Sequence, residues 1–273
     1  MQVIKIDDNP ISQIFPSNNY PSHKKIEDLL YKYPNETTSL CLYSGEDTIN
    51  VIIPYDRRSV IPSNFRPIHG EFKKINNKTA YLRINNWDLD VNTIVYNYID
   101  ELKKSQSLII DLRNNGGGHE VSTSRLASFF ISDPKPYLHS EYIWDDNSIN
   151  KETKVIKPHP VFRLNHLKVV VLINAQSLCA SEMFIDFMAT HFHSLTVIGA
   201  EKTTGIFANV YSVFFEDGSM AKINSLVKTY TSSQSILETK GIVPDIWVSI
   251  NNISDLAPYD DKVLKTALAF LDY

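Results

Sequence analysis

The chain has 273 residues, of which 43% are hydrophobic and 21% are charged. These values are close to the averages of globular proteins and exclude a disordered or membrane-embedded class. The formal net charge is −4 and the 27 basic residues are spread along the chain, which argues against nucleic acid as a partner. No apolar run reaches the ~18 residues that span a bilayer, so no membrane span is predicted. The sequence leaves localisation and oligomeric state open.

Residues 1–58 are predicted to form a small α+β lobe. Its expected elements are one strand, one helix and a hairpin of two strands: Val3–Ile6, Lys24–Tyr31, Thr38–Tyr43 and Thr48–Ile53. The segment Arg57–Pro67 breaks the periodicity with two prolines. We therefore assign residues 59–79 to a linker and a lead-in strand.

Residues 80–273 are predicted to form one α/β core, because short apolar strands alternate there with amphipathic helices. The expected strands are Tyr81–Ile84, Leu108–Ile110, Val169–Ile173 and Leu195–Ile198. The expected helices cover about 91–102, 121–130, 180–191 and 260–270. A hairpin is expected from Ala208–Phe215 and Met220–Val227.

The first candidate site is the glycine-rich loop Asp111–Gly118, which lies between a buried strand and a helix. Its three glycines leave backbone N–H groups unshielded, and the helix adds its positive end, so the loop is suited to an anion or an oxyanion. The alternative is a tight strand-to-helix turn without a ligand. Neither a dinucleotide nor a P-loop pattern is present, and no cofactor is predicted.

The second candidate site is Cys179, which follows another apolar strand and begins a helix. The helix dipole favours a thiolate at this position, and the N–H of Ala180 can face a developing oxyanion. The alternative is an inert, buried thiol. Cys41 and Cys179 are the only cysteines, and neither has metal-ligand spacing, so no metal is predicted.

Together these segments resemble the tail-specific, or C-terminal processing, proteases, whose wider family includes tricorn. Four blocks carry the resemblance: Leu108–Gly118, Val170–Asn174 with Cys179–Glu182, Ile198–Gly205 and Lys240–Ile246. The resemblance implies a ClpP/crotonase-like core of βα units that cleaves peptide bonds of a peptide or unfolded protein substrate by acyl transfer. Residues 1–53 resemble the later part of a PDZ-like module.

The resemblance also implies roles for individual residues. Cys179 occupies the position of the family's nucleophilic serine, and the N–H groups of Ala180 and of Gly117 or Gly118 would line the oxyanion hole. One branch of the family has a lysine as general base directly after the Thr-x-Gly turn, where this chain has Ile206.

Two other residues are candidates for the base system. The tricorn-like branch combines a histidine from an upstream region with an acidic residue, and Glu238 fits the acidic position. His119, directly after the glycines, is a local alternative, because a Cys–His pair suffices when the atoms come within hydrogen-bond reach.

Two functions from different classes follow from this pattern. The first is a serine-type peptidase homologue with Cys179 as nucleophile. The second is a catalytically degenerate peptide-binding or scaffolding domain with the same fold, because a fold does not by itself determine a function.

Overall fold

The computed structural model describes the chain with several gaps. The described residues are 2–6, 8–10, 37–43, 48–54, 70–87, 91–143, 149–206, 210–215, 219–224, 227–233, 240–251, 255 and 260–272. They belong to two compact units, Met1–Pro67 with Ser249–Lys265, and Ile68–Val248 with Thr266–Tyr273. The predicted helix at Lys24–Tyr31 and the proposed linker Arg57–Pro67 lie outside the described residues.

The first unit contains a four-stranded antiparallel sheet with the order β2-β1-β3-β4. Its strands are β1 (Gln2–Ile6), β2 (Asn9–Pro10), β3 (Thr37–Tyr43) and β4 (Thr48–Pro54). Three of these strands coincide with the expected ones, and β1 pairs with β2 and β3. The PDZ-like identity of this lobe and the domain boundaries at residues 58 and 79 stay predictions.

The second unit is built on a six-stranded sheet with the order β15-β11-β10-β7-β6-β5. In chain order the strands are β5 (Gly70–Lys74), β6 (Thr79–Ile84), β7 (Ser107–Asp111), β10 (Lys168–Ile173), β11 (Leu195–Gly199) and β15 (Ile246–Trp247). Only the pairing of β5 with β6 is antiparallel. The predicted α/β class is confirmed, whereas the ClpP/crotonase-like detail stays a prediction.

Five described helices accompany the strands. They are α1 (Val91–Asn97), α2 (Ile99–Lys104), α3 (Glu120–Ser128), α4 (Ala180–His191) and α5 (Lys262–Leu271). The prediction of a single helix over 91–102 is therefore wrong, because two helices cover this range. Tyr98 leaves the helical conformation, with φ −117° and ψ 22°, and its ring stacks on Phe72 of β5 with centroids 4.2 Å apart.

A second, three-stranded sheet was not predicted from the sequence. It contains β8 (Lys135–Ile143), β9 (Ile149–Ile156) and β14 (Val227–Tyr230), in the order β14-β8-β9. The strand β9 is exposed at every position except Ile156, so it lacks the alternation of apolar and polar residues by which strands are recognised. The expected hairpin is present as β12 (Val210–Phe214) and β13 (Met220–Asn224).

The core of the second unit determines where a site can form. Every residue of β7 is buried, which is typical of a parallel strand covered on both faces. On α4, Phe184, Phe187 and Met188 are fully buried. The carboxyl ends of β6, β7, β10 and β11 point to one edge, and loops at such an edge commonly bind ligands.

Replacing Gly241 by alanine is expected to destabilise this unit by about 2–4 kcal/mol. Gly241 has φ +68°, and an added Cβ would lie 2.0 Å from the carbonyl oxygen of Thr203. Urea denaturation measures the loss. Gly116→Ala is the matched control, because an added Cβ at Gly116 meets nothing within 4 Å, and it should change stability by only about 0.5 kcal/mol. Equal losses in both variants would contradict this explanation.

Candidate active site

Asn115 connects the three segments around the candidate site. It is fully buried, its amide group donates to the carbonyl of Ile84 at 2.9 Å, and its Oδ1 accepts the N–H of Gly117 at 2.9 Å. Its own carbonyl accepts the N–H of Leu178 at 2.9 Å and the hydroxyl of Ser181 at 3.2 Å. The end of β6, the glycine loop and the start of α4 are therefore held at one point.

Trp87 fixes the glycine loop from the other side. It is fully buried, and its indole N–H donates to Ser181 Oγ at 2.9 Å. Its backbone N–H donates to the carbonyl of Gly117 at 3.0 Å, and its carbonyl accepts the N–H of His119 at 2.6 Å. Gly118 has φ +142°, and a Cβ there would lie 2.8 Å from the backbone of Trp87. Only glycine fits this position without strain.

Asp111 stabilises the start of the same loop. Its buried carboxylate accepts hydrogen bonds from the hydroxyl of Tyr81 at 2.7 Å and from Nε and Nη2 of Arg113 at 2.9 and 2.6 Å. Burial alone would raise the pKa of Asp111, but the bonds from Arg113 and Tyr81 hold that pKa below its usual value. The carboxylate therefore stays charged and keeps Arg113 in place.

Cys179 is the N-cap of α4 and has an unusual backbone conformation, with φ 52° and ψ −111°. Residues other than glycine rarely adopt positive φ, and such strain is concentrated at functional sites. The side chain is half-buried. A Cβ added to Gly117 would lie 2.8 Å from Cys179 Cβ and 3.3 Å from the backbone nitrogen of Ala180. The structure therefore brings together the glycine loop and the cysteine, which the sequence analysis expected to meet.

The backbone donors near Cys179 differ in their availability. The N–H of Gly117 already donates to Asn115 Oδ1. In the described ranges no acceptor is bound to the N–H of Gly118 or to that of Ala180 at the first position of α4, where helix N–H groups lack an intrahelical partner. Both N–H groups therefore have no acceptor among the described residues, and backbone N–H groups in this state are the type of donor that can stabilise an oxyanion.

Glu182 connects the loop of residues 203–206 to the start of α4 by hydrogen bonds. Its buried carboxylate accepts the N–H of Cys179 at 3.0 Å, the N–H of Gly205 at 2.8 Å and the hydroxyl of Thr203. Burial raises the pKa of Glu182, and the hydrogen bonds from Thr203, Gly205 and Cys179 offset this only in part. The N–H of Cys179 is shared with the carbonyl of Ile206 at 2.9 Å.

Of the two candidates for the base system, His119 and Glu238, only His119 lies among the described residues. His119 is exposed, forms the N-cap of α3 and makes no capping hydrogen bond with its side chain. Glu238 lies outside the described residues. Ile206 is 53% exposed, and its backbone contacts Cys179 where one branch of the resembled family has a lysine.

Asn115, Trp87 and Glu182 form contacts at the site that were not predicted from the sequence. The spacing of Cys179 and Glu182 is that of an N-cap and a carboxylate three residues later, a capping-box pattern that could have identified Glu182. Asn115 and Trp87 act across 31 and 94 residues of sequence. A sequence pattern does not reveal contacts of that range.

Within the described ranges no group of three or more His, Cys, Asp or Glu side chains could hold a metal ion. None of the described helices has the length and apolar character needed to cross a membrane.

In α/β-hydrolases a turn between a strand and a helix likewise carries the nucleophile, a serine, beside backbone N–H groups of the oxyanion hole. The sequence model of peptidase family S41 matches residues 78–248. The chain therefore belongs to peptidase family S41, and the predicted resemblance to C-terminal processing proteases is confirmed.

Relatives and solved structures agree with this assignment. A probable CtpA-like serine protease of Staphylococcus epidermidis is 29% identical over 197 residues, which are 65% of this chain and 38% of that protein. The chain thus spans well under half the length of this curated relative. A putative S41 protease from Bacteroides fragilis has a TM-score of 0.65 at 16% identity, covering 99% of this chain and 72% of the other.

A photosystem II D1 C-terminal processing protease has a TM-score of 0.59 at 17% identity, covering 96% of this chain and 65% of the other. At these identities the two solved structures show a shared fold.

The raised pKa of Glu182 predicts how its contribution to stability depends on pH. The folded protein binds this proton more tightly than the unfolded chain, so the contribution is present below about 4.5, the ordinary value, and is lost as pH rises through the folded pKa. The free energy of unfolding of the wild type minus that of Glu182→Gln should therefore fall as pH rises above 4.5. Urea denaturation at a series of pH values measures this difference.

Asp111→Asn is the control of opposite sign. The pKa of Asp111 lies below its ordinary value of 3.8, so its contribution to stability is present above that value and is lost in acid. The same slope in both variants would show that Glu182 does not titrate as the structure indicates.

Proposed function

We propose that the chain is the core of a peptidase in which Cys179 attacks the carbonyl carbon of a peptide bond. The observation that carries this proposal is the strained conformation of Cys179 at the start of α4, against Gly117 and next to Ala180. The substrate class is a peptide or unfolded protein, as in the peptidase family to which the chain belongs.

The proposed mechanism begins with attack of the Cys179 thiolate on the carbonyl carbon. The π electrons move to oxygen, and this oxyanion accepts hydrogen bonds from the N–H groups of Ala180 and Gly118, each worth about 3 kcal/mol in the transition state. Collapse of the intermediate expels the amine, which takes the proton that the base had removed from the thiol. Water then cleaves the thioester and restores the thiol.

The general base in the proposed mechanism is a histidine. His119 directly follows Gly118 and is exposed, so its ring can turn toward the site. The alternative is Glu238 together with a histidine from sequence upstream of this chain, as in the tricorn-like branch. Both arrangements supply an imidazole, the side chain that most often serves as a general base.

Cys179 is expected to react with iodoacetamide at pH below 7, because the helix terminus favours its thiolate. The Cys41→Ser variant assigns the label, because Cys41 and Cys179 are the only two cysteines.

Cys179→Ala should reduce hydrolysis of an unfolded protein to background, whereas Cys179→Ser should keep a part of it. Equal hydrolysis by the wild type and Cys179→Ala would remove Cys179 from the mechanism.

A degenerate peptide-binding domain is the second candidate, and the presence of Ile206 after Gly205 favours it. Under this alternative the wild type reacts slowly below pH 7, and Ile206→Lys should speed the labelling of Cys179 about tenfold by placing an ammonium group beside the thiol. Ile206→Met is the control for side-chain length. Under the peptidase proposal the wild type already reacts quickly, and Ile206→Lys should change its rate by only about twofold.

A further inference from the structure

A cavity of about 760 Å³ lies between α3, the end of β9 and residues 157–160. Its lining includes Glu120, the first residue of α3, which directly follows His119. The cavity is therefore lined by the helix that follows the glycine loop, and the proposed mechanism does not use it.

The charge in this cavity is positive. Arg125, Lys154 and Lys157 line it, and its one acidic residue, Glu120, pairs with Lys154 at 2.8 Å. In the described part of the chain, Arg125 and Lys157 make no ion pair, which leaves two uncompensated cations. The whole chain has a net charge of −4, so the positive cavity is a local feature that favours an anionic ligand.

The wall of the cavity is rigid around His159. Its ring stacks on Phe129 with centroids 4.4 Å apart, and its Nε2 lies 3.2 Å from the hydroxyl of Tyr96. Its Nδ1 accepts the N–H of Phe162 at 3.0 Å, and its backbone N–H donates to the carbonyl of Ser128 at 2.9 Å. An acceptor at Nδ1 means a neutral ring, and burial also lowers the pKa of His159. A rigid wall reduces the entropy lost on binding.

Tyr137 connects the cavity with the candidate active site. It lines the cavity, and its hydroxyl lies 2.6 Å from the hydroxyl of Thr123 on α3. Its ring also packs edge-on against Phe187 of α4, with ring centroids 5.6 Å apart. The cavity therefore lies beside α3 and is connected through this ring contact to α4, the helix that Cys179 begins.

We propose that this cavity is a subsite that binds an acidic side chain of the peptide substrate, with Arg125 and Lys157 as its cations. The proposal rests on the proposed peptidase function and adds a substrate class, peptides with Asp or Glu near the cleaved bond. A guanidinium group binds a carboxylate through two parallel hydrogen bonds, and an ammonium group adds a second positive charge. Two cations suit one carboxylate better than a nucleic acid backbone, which needs an extended row of them.

The test is peptide binding by the full chain with Cys179→Ala, which prevents turnover. Two labelled peptides, capped at both ends, differ only in having Glu or Gln at alternate positions. Fluorescence anisotropy should show that the Glu peptide binds about tenfold more tightly. The preference should shrink when the ionic strength is raised to about 1 M, because Arg125 and Lys157 are exposed and salt screens exposed charges. Equal affinities at low salt would overturn the proposal.

Two pairs of substitutions locate the preference. Arg125→Gln with Lys157→Gln should abolish it, because both cations of the cavity are lost. Lys73→Gln with Lys151→Gln removes the same charge from exposed positions outside the cavity, and should preserve it. Loss of the preference in both double variants would assign it to long-range charge and overturn the subsite.

A third peptide identifies the source of the carboxylate. It has Gln side chains and a free carboxyl terminus, and it should bind as weakly as the capped Gln peptide. Binding as tight as that of the Glu peptide would mean that the cavity recognises a chain end, which contradicts the proposal.

Iodoacetamide labelling of Cys179 separates the two proposals. If Cys179 reacts below pH 7 and the Glu and Gln peptides bind equally, the subsite is wrong and the peptidase proposal stands. If Cys179 is inert and neither peptide binds, both proposals are wrong.

Discussion

The buried carboxylate of Glu182 is the constraint on which the rest of the site depends. It is bound by the N–H groups of Cys179 and Gly205 and by the hydroxyl of Thr203. Thr203 in turn exchanges hydrogen bonds with Ile242, at 2.6 Å through its hydroxyl and at 3.0 Å through its backbone N–H. A buried polar group is tolerated only when it is hydrogen-bonded. The start of α4, the turn at Thr203–Gly205 and the segment at Ile242 must therefore lie together. The same contacts stabilise the fold and the site.

Asp111 and Glu182, the two buried carboxylates described above, are stabilised by different interactions. Asp111 is paired with the guanidinium of Arg113, so its charge is compensated and its pKa is low. The hydrogen-bond donors to Glu182 are neutral groups, so burial dominates and its pKa is raised. The glycine loop is consequently held by an ion pair, whereas the turn at Thr203 depends on a carboxyl group that protonates more readily.

The strained conformation of Cys179 is explained by what surrounds it. Hydrogen bonds from Leu178 and Ser181 to Asn115 hold the chain on both sides of the cysteine. Strain of this kind persists only where neighbouring contacts over-determine the backbone. The N–H groups of Gly118 and Ala180 belong to the backbone, so their positions do not depend on which side chain stands at position 179.

Much of the second unit could be predicted from the sequence, because its signals are local. Apolar runs located β7 and β10, periodicity located α4, and four blocks identified the family. The break at Tyr98 and the sheet of β8, β9 and β14 could not be predicted, because they depend on partners distant in the chain. Two further features were decided only by the tertiary structure. Ser181 binds both Asn115 and Trp87, and Cys179 adopts a positive φ. Contacts between residues far apart in the chain override local preference at these positions.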